Sequence, residues 1–130
     1  MAQSVSSLQS ALRTGVLEVK FTRRRQKQGI PATRRMWCTL CPLLLESIRG
    51  QAIFKFQEPK RAPKYNPSVN NLVIAYDLFK LDYRAVPADS ANVISRIPVT
   101  NDEQLEEFWK YFNENIYSMS AQEKERFMNS

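Results

Sequence analysis

Two cysteines, Cys38 and Cys41, follow Trp37 in the stretch RRMWCTLCPLLL. The C-x-x-C spacing belongs to two kinds of chemistry: a dithiol redox centre, or half of a zinc site. A structural zinc site takes about four ligands, mostly Cys and His. The chain has no histidine and no third cysteine, so no metal site is expected. A redox dithiol places its attacking thiol at a helix N-terminus that follows a buried strand. Here the pair falls in an alternating pattern. Thr33, Arg35, Trp37, Thr39 and Cys41 lie on one face, and Arg34, Met36, Cys38 and Leu40 on the other. A disulfide needs Cβ atoms about 3.5–4.5 Å apart, which opposite faces of a strand do not provide. Cys38 is therefore expected in the core and Cys41 at the strand end. Arg34 and Arg35 are close enough in sequence to lower a thiol pKa, which keeps a thiol redox protein as an alternative function.

Other catalytic chemistry finds little support. There is no histidine to act as a general base. Asp77, Asp82 and Asp89 fall near turns, where aspartate is ordinary. Neither G-x-x-x-x-G-K-[ST] nor G-x-G-x-x-G occurs, so no phosphate-cradling glycine loop is expected. The reading is a non-enzyme without a cofactor.

The stronger signal is positive charge. The net charge is +6, and its distribution is uneven. Through residue 101 there are 16 Lys and Arg against 6 Asp and Glu; from 102 to 130 there are 3 against 7. A basic body with an acidic end attracts polyanions, nucleic acid foremost. The stretch TRRRQKQGIPATRR places Arg23, Arg24, Arg25, Lys27, Arg34 and Arg35 around one hairpin tip. Lys60, Arg61 and Lys64 fall in a proline-rich loop, with Lys55 just before it. Arginine forks match phosphate geometry, and aromatic rings stack on bases. These cations, with Trp37, Tyr65 and Tyr83, are the candidate nucleic-acid contacts, to DNA or RNA. A protein partner gripped by the basic hairpin or the C-terminal helix is the alternative, with Trp109, Tyr111 and Tyr117 as candidate contacts.

The elements that must position these residues follow from periodicity. Val5, Leu8 and Leu12 have helical spacing, and Gly15 is a plausible stop. VLEVKFT and TRRMWCTLC alternate, and a Gly-Pro loop joins them as an antiparallel hairpin. PLLLESIR reads as a short helix, with Pro42 at its start and Gly50 past its end. QAIFKFQ reads as a short strand, and residues 58–71 as a long loop. Strands are expected at 72–78, 82–86 and VISRIPV. Thr100 and Glu103 have capping-box spacing ahead of an apolar stripe of Leu105, Phe108, Trp109, Phe112 and Ile116. Ser120 and Glu123 repeat it, predicting a second short helix. No apolar run is long enough to span a membrane, and no secretory signal is visible. The expected fold is mainly β with a helical appendage (α+β): a small five-stranded SH3/Sm-like barrel plus a C-terminal amphipathic helix. Its parts are an N-terminal helix or arm over 1–15, the barrel over 16–99 with an insertion at about 50–70, and the helical appendage over 100–130.

LEVKFT, RRMWCTLCPLLL, VIAYDLFKLDYRAV and NVISRIPV together resemble a small phage-encoded family, related in name to WYL domains, with an Sm-like SH3-type β-barrel. The likeness covers roughly residues 16–99. It is interrupted by SIRGQAIFKFQEPKRAPKYNPSV, and the helical end lies beyond it. It implies a small barrel and a phage or phage-derived origin; with the basic surface, the expectation is a regulatory protein of host takeover, acting in the cytoplasm (the host's, if phage-encoded). It implies no settled activity. Cys41 stands where the family pattern has Asn or Ser, so a cysteine pair is not a family feature.

Overall fold

The computed structural model describes residues 4–23, 28–29, 32–56 and 70–117. The first element is α1 (Val5–Arg13), entered through Ser4, whose Oγ accepts from the N–H of Ser7 at 3.1 Å. Leu8 and Leu12 form its buried face. The helix stops at Thr14, just before Gly15 as its spacing implies, and Gly15 opens the first strand, β1 (Gly15–Thr22). A Cβ there would overlap the carbonyl oxygen of Ile97, so only glycine lets this strand approach its neighbour.

β1 pairs antiparallel with β2 (Thr33–Thr39) from Val16↔Thr39 to Thr22↔Thr33. The expected hairpin is present. Strands β3 (Leu72–Asp77) and β4 (Asp82–Pro87) form a second hairpin, and β5 (Asn92–Pro98) follows a 3-10 turn at Ala88–Ser90. All pairings are antiparallel, and the strand order is β4-β3-β2-β1-β5. The protein is therefore α+β, with one five-stranded sheet flanked by helices. β4 and β5 are outer strands, so the sheet of the described residues is not closed as a full barrel would be. The β1–β5 register slips between Glu18 and Val19, and β5 ends at Pro98. A bulge and a proline both discourage further pairing on that edge.

Helices cover both faces, which is why five consecutive residues of β1, Gly15 to Val19, are all buried. On one face α1 packs Leu8 and Leu12 against Leu17, Val19, Met36, Cys38, Val73, Ala75 and Val86. On the other face lie α2 (Pro42–Leu45), α3 (Ile48–Phe54) and α4 (Asp102–Tyr111), continued by a π-helical turn, Phe112–Tyr117. Phe54, Trp109, Phe108 and Phe112 form an interlocking ring cluster there, with centroids 5.2–5.8 Å apart. The apolar stripe of the last helix is as expected: Phe108, Trp109, Phe112 and Ile116 are buried and Leu105 is half-buried.

Three local expectations give way. QAIFKFQ is not a strand, since its first four residues end α3. Ser47 caps this helix by accepting from the N–H of Gly50 at 2.9 Å. Gly50 lies inside α3, where a Cβ would overlap the Leu44 carbonyl oxygen. Its small size therefore serves close packing of α2 on α3, not helix termination. The capping box of α4 is shifted by one residue. Asn101 accepts from the N–H of Gln104, and Gln104 Oε1 accepts from the N–H of Thr100, each at 2.8 Å. Asn caps as well as Thr, and Gln fills the N3 role of Glu. The second helix predicted at Ser120 lies outside the described residues.

Candidate functional site

The hairpin end of the sheet gathers charge on both faces, and strand register decides which residue goes where. Phe21 pairs with Arg34 and Lys20 with Arg35, so the two arginines point to opposite sides. Arg34 goes to the α1 face, beside Phe21 at the edge of its apolar cluster. There it pairs with Asp77 at the end of β3, their side chains 5% and 2% exposed. Asp77 is used twice: Oδ2 accepts from Arg34, and Oδ1 accepts from the N–H groups of Phe79 and Lys80 at 2.9 and 3.1 Å. The carboxylate thus fixes the β3–β4 turn, whose Leu81 has a left-handed φ of 57°.

More cations collect around this pair. Asp77 faces Asp82 and Ala75 faces Arg84 in the β3–β4 ladder, so Arg84 is the diagonal neighbour of Asp77 on the same face. Arg84 meets Asp82 at 3.4 Å, a loose, solvent-exposed pair. Lys80 sits half-buried on the turn. Burial, then Arg34 and Arg84, push its amine below the ordinary lysine range, against the pull of Asp77. Burial likewise lowers the Arg34 guanidinium, with Asp77 opposing and Arg23 and Arg84 adding to the shift. Arg23, Arg34, Lys80 and Arg84 therefore share one field, drawn from β1's end, β2, the turn and β4.

On the opposite face Arg35, with a half-exposed side chain, pairs with Glu18, which is buried and also accepts from Ser95 Oγ at 3.3 Å. Lys20 stands exposed beside them.

Several candidate contacts lie elsewhere than their sequence pattern implied. Arg34 is not a surface cation, because the sheet order carries Asp77 beside it. Trp37 is buried on the helical face, with its ring centroid 6.1 Å from that of Tyr111, so it is not a platform for bases. Tyr83 is half-buried and packs edge-on against Tyr76 and Phe56 at 5.3 and 6.2 Å. Trp109 is core, stacked on Phe54, with Arg49 over its ring at 4.6 Å. Tyr111 is 37% exposed and stays a surface residue. Arg24, Arg25, Lys27, Lys60, Arg61, Lys64, Tyr65 and the side chain of Tyr117 lie outside the described residues. Lys80 and Arg84 were not among the candidates. The alternation D-Y-R in β4 hinted at Arg84, but only the register with β3 brings it to Asp77.

The cysteines separate as the alternation implies. Cys38 is buried in the α1-side cluster and Cys41 in the other. Both are free thiols, and Cys41 Sγ donates to the carbonyl of Val99 at 3.3 Å. Burial, then the nearby Asp77 charge, raises the Cys38 thiol far above its ordinary value. A thiol held protonated in this way is a poor nucleophile.

Set against known protein families, curated proteins and solved structures, the chain matches none of them. Among the described residues no helix is long and apolar enough to cross a membrane.

Proposed function

We propose that the protein is a non-catalytic, phage-type regulatory module that binds nucleic acid at the hairpin end of its sheet. One observation carries this reading: Arg23, Lys80 and Arg84, from separate segments, gather around the enclosed Arg34–Asp77 pair on one face, while Arg35 and Lys20 present charge on the other. A solvated surface spreads its charges to avoid mutual repulsion. A surface that concentrates them is suited to phosphates. The same reading takes the sheet as an incompletely closed small barrel of SH3/Sm-like type, since β5 returns to pair with β1 after a four-strand meander.

Fluorescence anisotropy with labelled single- and double-stranded DNA and RNA tests the proposal. Binding is expected to weaken with salt, each neutralised phosphate adding about −0.7 to −0.9 to the slope of log K against log salt. Absence of binding to all four probes at roughly 50 mM salt, where the electrostatic contribution is strong, overturns it.

A second reading, a module that grips a host protein, draws on the start of α3. Ile48 is 91% exposed there, next to Arg49 on the Trp109 ring. Partners that remain bound after nuclease treatment of a host lysate favour this alternative.

A further inference from the structure

The cations of the α1 face are arranged around a point, whereas the phosphates of a nucleic-acid strand run along a line. Asp77 is the centre of that point, and most of its acceptor capacity is used: two backbone N–H groups donate to Oδ1 and Arg34 donates to Oδ2. The one acceptor site that remains, on Oδ2, cannot serve both Lys80 and Arg84. Asp82 is the other carboxylate of the group, but its side chain is 66% exposed and meets Arg84 only at 3.4 Å. Its charge is largely screened by water. Nε of Arg34 is buried and has no hydrogen-bond partner among the described residues. A buried donor without a partner costs free energy unless a ligand or water satisfies it. Arg84 is diagonal to Asp77 across the β3–β4 ladder, and Lys80 is held in the turn by its own N–H bond to Asp77, so both cationic side chains start beside the Arg34–Asp77 pair.

We propose that this cluster is a subsite for a terminal phosphate of a nucleic-acid strand, held by Lys80 and Arg84 with Arg34 behind them. The inference rests on the nucleic-acid reading above and sharpens it. A phosphate monoester carries about −1.5 to −2 charge and three acceptor oxygens at pH 7. The bridging diester within a strand carries a single charge and offers two. Three cations that share one largely occupied carboxylate suit the former. Arginine adds a planar fork that takes two oxygens at once, and lysine adds a point charge. The preformed Asp77 brace keeps the turn, and hence Lys80, in place before the ligand arrives.

The test compares one oligonucleotide sequence with a 5′-phosphate, with a 3′-phosphate and with hydroxyls at both ends, using the full chain and anisotropy. At least one phosphorylated form is expected to bind about tenfold tighter than the hydroxyl form, the scale of one hydrogen bond to a charged group. In Lys80→Gln and Arg84→Gln that advantage shrinks, while the hydroxyl form binds nearly as before. Thermal melting checks that both variants fold; both residues are outside the apolar clusters. Equal affinity for all three ends overturns the subsite and leaves nucleic-acid binding standing. An equal loss for all three ends in the variants also overturns it, since that marks diffuse charge. Binding of none of the three at low salt removes the nucleic-acid reading and the subsite with it.

Discussion

Arg34 and Arg35 are adjacent in sequence, each pairs with a carboxylate on a neighbouring strand, and the two pairs have opposite characters. Arg34 with Asp77 is enclosed on both sides, whereas Arg35 is 51% exposed over a Glu18 that is 7% exposed. The period of two in a strand sends them to different faces. On the α1 face Arg34 is enclosed with Asp77, the carboxylate that also braces the β3–β4 turn; on the other face Arg35 keeps half of its side chain in solvent. The same side chain is thus a structural brace on one side and a surface charge on the other. Burial, not residue type, decides which arginine is available to a ligand.

The largest expected effect comes from breaking the enclosed pair. Asp77→Ala leaves Arg34 buried without its counter-charge and removes the acceptor for two turn N–H groups. A loss of about 3–5 kcal/mol in urea unfolding is expected. Removing both partners, as Arg34→Met with Asp77→Leu, is expected to cost less than Asp77→Ala alone, because no uncompensated charge remains. A double variant at least as unstable as the single one would show that the turn hydrogen bonds, not the ion pair, are what Asp77 supplies.

The next effect also contrasts the two faces, through Cys38. Its thiol is raised by burial and by Asp77, so the folded state keeps a proton that the unfolded chain releases above about pH 8.5. The stability this provides is complete below that pH and is lost as pH rises above it. The expected slope is about 1.4 kcal/mol per pH unit. Unfolding measured between about pH 7 and 9.5, below the ordinary tyrosine range, should show this decline. In Cys38→Ala the slope should flatten. An unchanged slope assigns the titration to another group.

Much of this arrangement could be read from the chain and some could not. Both hairpins, the apolar stripe of α4 and the opposite facing of Cys38 and Cys41 follow from local periodicity, because side-chain direction in a strand or helix is set by spacing alone. What failed depended on contacts distant in sequence. Arg34 reads as a surface cation until β3 is placed beside β2, 43 residues away, with Asp77 opposite Cys38. Trp37 is hidden by Tyr111, on a helix that sequence spacing does not orient against the sheet. Ala52 and Phe54 alternate as a strand does, yet Ser47 starts a helix that carries both, and a short apolar run is compatible with either period. Sheet closure is likewise undetermined by strand count.

The smallest expected effect lies in the exposed pair, and it separates stability from binding. Arg35→Gln removes a half-exposed charge from Glu18, which keeps its bond from Ser95. A loss of about 1–2 kcal/mol is expected in unfolding, between that of an exposed pair and an enclosed one, because Glu18 stays buried but keeps its Ser95 bond. Its effect on nucleic-acid affinity should instead be visible in the salt dependence, flattening the slope by about 0.7–0.9 if Arg35 neutralises one phosphate. Glu18→Gln is the control that keeps the arginine and frees it from its carboxylate. Binding should then be equal to or tighter than in the parent protein. If Glu18→Gln weakens binding as much as Arg35→Gln does, the carboxylate orients Arg35 rather than competing with the ligand. The exposed arginine would then resemble its buried neighbour more closely than their exposures suggest.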